Sequence, residues 1–391
     1  MNNIYYFTNI APHYRQRLWE IMAEHKEIDF EFYFGNGSKR NKIKAIDFNT
    51  ETWIKKSNKT HRLKNRRLFG RIVWQSGVIK TVLKHNFDAV MLLADANILS
   101  TWIAALILKL KRVEISFWGH GLYERKSVVK KLIKKSFHKL ADQNFVYSSR
   151  AKEFMVGQGF NGNKVHVVFN SLDYDTHLKL RSKAIDKNYL ESLFGNPLPV
   201  ICFIGRLTPV KKLDILIKAV HEVNKKSKRC NLLIIGSGSE EQNLKSLAVE
   251  LLTESNYHFY GPCYEEKKIG KLLANSELCV SPGNIGLTAI HSLSYGTPVC
   301  SHSNFDNQMP ESEAIIEYKT GILFRENDSH DLANEIDNWL NLKIDRNEIR
   351  KNCYSVIDNY YNPYIQIEIF RKVFLKSNCE MKTVSDESIT N

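Results

Sequence analysis

Short runs of β-branched and aromatic residues alternate along the whole chain with longer stretches whose apolar residues recur at helical spacing. In the first half the runs that read as strands are Ile4–Thr8, Phe30–Phe34, Ala89–Leu93, Glu114–Phe117, Phe145–Tyr147 and His166–Phe169. In the second half they are Val200–Ile204, Leu232–Ile235, His258–Tyr260, Leu278–Ser281 and Val299–Ser301. This alternation predicts an α/β protein with parallel sheets and crossover helices. A polar stretch, Asp173–Pro199, separates the two sets; it holds a helix, but its ends read as a linker. With 391 residues the chain exceeds one ordinary core and suits two domains, 1–185 and 196–360. A last helical pattern follows the final strand, and residues 378–391 read as a disordered tail.

Composition narrows the class. Hydrophobic residues at 43% and charged residues at 25% describe a globular protein in water. The opening residues lack the marks of a signal peptide, and the longest apolar stretch, Ile98–Leu110, is too short to span a bilayer. The seven cysteines have no CxxC or metal-like spacing, and Cys202, Cys279 and Cys300 fall in apolar runs. Reduced core cysteines in a cytoplasmic protein are expected.

The net charge of +14 changes the picture because it is clustered. Residues 52–87 carry ten Lys/Arg and no acid, and residues 125–139 carry seven and no acid. In the second cluster Val129, Leu132, Ile133, Ser136, Phe137 and Leu140 recur at helical spacing, opposite the lysines. Such a helix fits a solvated surface face, or attraction to an anionic membrane at about 1 kcal/mol per basic side chain. A nucleic-acid surface ranks last, since no recognition-helix pattern or set of zinc ligands accompanies the charge.

Candidate chemistry gathers at strand ends, where open α/β sheets bind ligands. The segment SPGNIGLTAIHSLSYGTPV, from Ser281, reads as turn, helix, turn and strand. Its backbone N–H groups at Gly286, Leu287 and Thr288 would sit at the positive end of a helix, a seat for phosphate or simply a β–α junction. Strand Val200–Ile204 runs into Gly205-Arg206-Leu207-Thr208-Pro209-Val210-Lys211, which puts two cations on one loop. Together they would neutralise a diphosphate; singly they read as surface charges. Gly236 opens a small-residue turn after the next strand. In the first half, His120 stands between two glycines after a strand, and Tyr14 and Arg15 follow the first strand as acceptor-side candidates.

The order of these motifs resembles the donor domain of retaining glycosyltransferase family 4, the glycosyl transferases group 1. The motifs are Gly205-Arg206-Leu207 with Lys211, then IIGSGSEEQNL, FYGPC and SPGNIGLTAIHSLSYGTPV. The resemblance is good over about Val200–Leu340 and looser in the first half, where Gly119-His120-Gly121 and Asn170-Ser171-Leu172-Asp173 fit. It implies the GT-B fold: two facing Rossmann-like domains, nucleotide-sugar bound by the C-terminal one and acceptor by the N-terminal one. A final helix, residues 361–377, would cross back to the N-terminal domain.

By position, Arg206 and Lys211 match the family's diphosphate pair, and Gly286, Leu287 and Thr288 match its diphosphate-binding amides. His120 matches the histidine near donor sugar and acceptor, and Tyr260, Gly261 and Cys263 match the nucleobase edge. The family's two glutamates would fall at Gly283 and His291, neither acidic here. Asn284 is the candidate to supply the first contact, with the donor sugar. A neutral histidine cannot reproduce a carboxylate that accepts from both ribose hydroxyls; Glu311 is the candidate to reach that crevice. Lys212 stands where glycine is usual.

The expected reaction is transfer of a sugar, with retention, from a nucleoside diphosphate to a glycan or lipid-linked hydroxyl in cell-surface polysaccharide synthesis, on the inner membrane face. No Asp-x-Asp stands at a strand end, so neither metal nor cofactor is expected. The alternatives are a catalytically silent nucleotide-sugar-binding partner and a GT-B-type sugar-nucleotide epimerase.

Overall fold

The computed structural model describes residues 2–36, 44–49, 51–123, 127–186, 188–225 and 230–376. The expected tail at 378–391, and Arg125 and Lys126 of the second basic cluster, lie outside these residues. The chain divides into two units. Unit 1 comprises Met1–Val146, Met155–Val168 and Pro363–Asn391; unit 2 comprises Tyr147–Phe154 and Phe169–Asn362.

Unit 1 contains β1 (Asn2–Thr8), β2 (Ile28–Gly35), β3 (Thr60–Arg67), β4 (Val73–Ser76), β5 (Ala89–Leu93), β6 (Glu114–Gly119), β7 (Gln143–Val146) and β8 (Val165–Val167). They form one sheet in the order β4-β3-β2-β1-β5-β6-β7-β8, parallel except for the antiparallel β3–β4 hairpin. The central strands are continuous apolar runs because both of their faces are covered. Tyr6, Phe32, Phe117 and Trp118 are fully buried. Trp19 packs on Tyr6 and Trp118 at ring separations of 5.4 and 5.9 Å. The helix Pro363–Phe374 belongs to this unit: Phe370 meets Trp118 and Phe145 at 5.1 and 4.9 Å, and Asn2 donates to Phe374 O at 2.8 Å.

Unit 2 contains β9 (Val200–Ile204), β10 (Asn231–Ile235), β11 (Tyr257–Gly261), β12 (Leu278–Ser281), β13 (Val299–His302) and β14 (Gly321–Phe324). The order is β11-β10-β9-β12-β13-β14, all parallel. Counted from β9 this is 3-2-1-4-5-6, the Rossmann order, whose crevice opens where β9 and β12 lead their loops apart. Cys202, Cys279 and Cys300 are buried free thiols in β9, β12 and β13.

The boundary differs from the sequence expectation. Residues 169–185 belong to unit 2, not to the N-terminal domain. The helix Tyr174–Ala184 is held there by Arg181, which donates to both Asp358 carboxylate oxygens at 2.9 and 2.8 Å and to Ser294 O at 3.0 Å. Residues 147–154 join the same unit, because Glu313 accepts from the Ser149 and Arg150 N–H groups at 2.8 Å each. No described helix is long and apolar enough to cross a membrane.

Candidate functional site

At the crevice of unit 2, two loops are laced together through backbone and side chain. The loop after β9 carries Arg206 and ends in a 3-10 turn, Pro209–Lys211. The loop after β12 carries Gly283, Asn284 and Gly286 before the helix Leu287–Ser294. Gly283 N–H donates to Lys211 O at 3.0 Å. A Cβ at Gly283 would stand 1.9 Å from Val210 O and 2.8 Å from Lys211 Cα, so only glycine allows the two backbones to meet. This is the physical content of the missing glutamate: the loops occupy the space its side chain would need.

The Lys211 ammonium crosses the same junction, donating to Asn284 O at 2.6 Å and to Asn284 Oδ1 at 3.1 Å. Burial lowers its pKa, the nearby Arg206 guanidinium lowers it further, and the Glu311 carboxylate opposes both. Arg206 is exposed, and among the described residues no carboxylate or carbonyl is within hydrogen-bond reach of its guanidinium. Lys212 takes a left-handed backbone, φ 51°, the conformation for which glycine is suited. Its side chain pairs with Glu326 at 3.0 Å and Asn327 at 2.6 Å.

The helix Leu287–Ser294 begins at the same crevice. Ala289 N–H turns back to Gly286 O at 2.9 Å, so the N–H groups of Gly286, Leu287 and Thr288 open the helix with no carbonyl of its own to meet. Two contacts fix this mouth. Gln308 Oε1 accepts from Ile285 N–H at 2.8 Å, and the Thr288 hydroxyl donates to Ile204 O at 3.1 Å. Gly236 lies at the end of β10, where a Cβ would meet Gly205 O at 1.8 Å; its role is close backbone packing of adjacent strand ends.

Glu311 is placed at the mouth of the helix Leu287–Ser294, near Gly286. It is buried, accepts from Asn170 Nδ2 at 2.9 Å, and its Oε2 lies 3.8 Å from the Cβ position of Gly286. The carboxylate that does reach His291 is Glu266, which opens the helix Glu266–Ala274. Glu266 Oε1 lies 2.7 Å from His291 Nε2 and 3.1 Å from His177 Nε2, and accepts from the Tyr295 hydroxyl at 2.8 Å. Burial alone would raise the Glu266 pKa, but His291 and His177 hold it well below the usual carboxylate range. His177 is buried, and its own pKa is lowered, chiefly by that burial. The cluster is therefore an ionised carboxylate steered by neighbouring donors. Among the described residues it is also the group whose His and Glu ligand atoms lie within 4.8 Å of one another, as a metal would require. At 2.7 and 3.1 Å those atoms already satisfy one another as hydrogen-bond partners.

Tyr260 and Cys263 pack against a core cluster that includes Ala184, Leu190, Leu233 and Ile269, at the edge strand β11. Gly261 O accepts from Gly236 N–H at 2.8 Å, so here the backbone faces the strand-end region while the two side chains turn to the core.

In unit 1, His120 follows β6, and Tyr14 and Arg15 lie in a 3-10 turn, His13–Arg15. Arg15 is buried with its guanidinium 4.8 Å from the Trp118 ring and 5.6 Å from that of Tyr14. The pKa of His120 is lowered toward 4, first by surrounding protein and then by the Arg15 and Lys134 charges. The residue keeps exposed surface, so the two cations are the firmer cause, and the imidazole is neutral at neutral pH. Three sequence candidates thus meet at the strand ends of this unit. Glu266 and His177 were not among them; the signal for Glu266 was an acid opening the helix that follows FYGPC.

Residues 187–356 match the family model of glycosyl transferases group 1. A glycosyltransferase of Methanocaldococcus jannaschii is 26% identical over 252 residues, 62% of this chain and 61% of that protein. A glycosyltransferase of Haemophilus influenzae is 29% identical over 164 residues, 40% of this chain and 43% of that protein. The matches thus span less than two thirds of these relatives. Among solved structures, the Anabaena protein HepE in complex with UDP aligns over 95% of this chain and 99% of its own, with a TM-score of 0.69 and 16% identity. The lipopolysaccharide outer core galactosyltransferase WaaB, in its apo form, aligns over 96% and 100%, with a TM-score of 0.70 and 17% identity. Two Rossmann-like units give the chain the GT-B fold, and its residues 187–356 are similar to the glycosyl transferases group 1.

Proposed function

We propose that this protein is a retaining glycosyltransferase that moves a sugar from a nucleoside diphosphate to a hydroxyl of a glycan or lipid-linked acceptor, in the synthesis of a cell-surface polysaccharide such as a capsule, exopolysaccharide or lipopolysaccharide. One observation carries the reading. The Rossmann crevice of unit 2 brings Arg206, Lys211 and the open N–H groups of Gly286, Leu287 and Thr288 to one place. The Anabaena neighbour, solved with UDP and with UDP-glucose, supports a nucleotide-sugar as donor.

In this reading the chain's own cations meet the charge that develops on the leaving diphosphate. Preorganised donors of this kind each contribute several kcal/mol to the transition state. Asn284 and Glu311 lie where the donor sugar's hydroxyls would be met in place of the glutamate absent at Gly283. The nucleoside falls further along the helix, where Glu266, held by His291, accepts from the ribose diol. The backbone at Gly236 and Gly261 borders the base, with Tyr260 and Cys263 packed behind it. His120 steers sugar or acceptor as a neutral imidazole, with Tyr14 and Arg15 on the acceptor side. The reaction needs no metal and no cofactor. The protein works at the inner membrane face, drawn to anionic lipid by its basic regions.

The test is calorimetry of nucleoside diphosphates against Arg206→Ala and Lys211→Ala. Each should weaken binding by roughly 1.5 to 3 kcal/mol, the worth of a hydrogen bond to a charged group. Unchanged affinity in both would remove the assignment. Turnover of labelled donors on lipid-linked acceptors separates a transferase from a silent binding partner.

A further inference from the structure

The helix Leu99–Leu110 of unit 1 is apolar on its outer face as well as on its inner one. It buries Ser100, Thr101, Ala104, Ala105 and Leu108, the last three in a core cluster with Val90, Leu92 and Phe117 of the sheet. Leu99, Ile103, Leu106 and Leu110, spaced at four, three and four residues along one face, stay exposed, Leu110 at 86%. Its neighbour, Val128–His138, repeats the pattern: Phe137 is buried, while Val128, Val129, Leu132 and Ile133 are 69, 66, 58 and 49% exposed. The two helices meet through Trp102 and Phe137, whose ring centroids lie 4.9 Å apart, and they share one core cluster on one side of the sheet.

The β3–β4 hairpin borders this face. Val73 N–H donates to Asn97 O at 2.9 Å, and Gln75 N–H donates to the Ser100 hydroxyl at 3.0 Å, which tie the hairpin to the start of the Leu99 helix. At its tip Phe69 is 80% exposed, flanked by Arg66, Arg67 and Arg71. Lysines 130, 131, 134 and 135 line the other side of the second helix, which carries no acid, and so border its apolar face. Exposed contiguous apolar surface marks an interaction site. An apolar face rimmed by lysine and arginine matches the chemistry of a membrane interface, where acyl chains lie beneath anionic head groups.

We propose that unit 1 docks on an anionic membrane by inserting this face, formed by the hairpin tip and the helices Leu99–Leu110 and Val128–His138, among the lipid head groups. The inference rests on the membrane reading given above and deepens it: the anchor is apolar as well as electrostatic. The basic side chains recruit the protein, and the leucines and valines keep it there.

The experiment is co-sedimentation of the full chain with phosphatidylcholine vesicles containing phosphatidylglycerol, at low salt and at about 1 M salt, where the screening length falls to about 3 Å. The wild type should pellet at low salt and remain largely bound at high salt. A Leu106→Ser/Leu110→Ser/Val129→Ser/Leu132→Ser variant should pellet at low salt but be released at high salt. Lys130→Ser/Lys131→Ser/Lys135→Ser should be poorly recruited at low salt. Melting temperature and nucleotide binding of each variant establish that it is folded. Full release of the wild type by salt, or an apolar variant that behaves like wild type, overturns the insertion while leaving electrostatic adsorption standing. A wild type that never pellets removes the membrane reading itself. A wild-type dimer that the apolar variant turns into a monomer, without vesicle binding, gives the face to a second copy of the chain and likewise overturns the proposal.

Discussion

Replacing Glu266 by glutamine isolates the part of the proposed donor site that the structure adds to the sequence. The substitution keeps the shape and an acceptor oxygen, so the contacts to His291, His177 and the Tyr295 hydroxyl, at 2.7, 3.1 and 2.8 Å, can persist and hold the three helices in place. What disappears is the negative charge. A hydrogen bond to a charged acceptor contributes about 1.5 to 3 kcal/mol and a neutral one about 0.5 to 1.5. The loss is thus about 1 kcal/mol for each ribose hydroxyl, and roughly 2 kcal/mol for the diol, near a 30-fold rise in Kd. Calorimetry with UDP should show this rise, while affinity for inorganic pyrophosphate stays unchanged. A dideoxy nucleoside diphosphate should bind wild type and variant alike. Equal losses for UDP and pyrophosphate would mean that Glu266 acts only by setting the helix mouth at Gly286. No loss for either would take the nucleoside away from this carboxylate.

Two further outcomes follow from packing and protonation. Gly283→Ala forces a Cβ to within 1.9 Å of Val210 O, a backbone atom that cannot swing aside. It should cost about 1 to 3 kcal/mol by overpacking and weaken UDP binding by moving Lys211, and a melting temperature and affinity equal to wild type would refute the close junction. His138 is buried with Nδ1 2.8 Å from Asn144 Oδ1, and burial, aided by the Lys134 charge, pushes its pKa from 6.5 down to about 4. The unfolded chain therefore takes up this proton first, so stability falls as pH drops from 6.5 towards 4, by about 3 kcal/mol in all, and then levels off. Urea titrations across that range should show a shallower acid limb in His138→Gln, and identical slopes would refute the assignment.

The parts of this protein that could be read in its sequence are those whose environment is uniform. Strands β1, β5, β9 and β12 lie inside their sheets and read as unbroken apolar runs. β3 carries no such run, because it lies next to the edge strand, buries only Leu63 and carries Arg62, Lys64, Arg66 and Arg67. β14 is four residues long and starts at Gly321, which packs against Val299 O with no room for a Cβ. The cationic pair and the helix mouth were legible for a related reason: each lies within a few residues of a strand end, so spacing along the chain is nearly spacing in the crevice. The domain boundary and the carboxylate proposed to meet the nucleoside depend instead on distant pairs. Arg181 meets Asp358 across 177 residues, and Glu266 meets His291 across 25. Nothing local distinguishes such an acid from a helix-opening glutamate that merely complements the dipole. The clue lay in what was missing. A histidine where a ribose-binding carboxylate is expected has an N–H to give, and a carboxylate from the adjoining helix makes that exchange useful. In the proposed site the charge stays in the crevice while its point of attachment moves from one helix to the next.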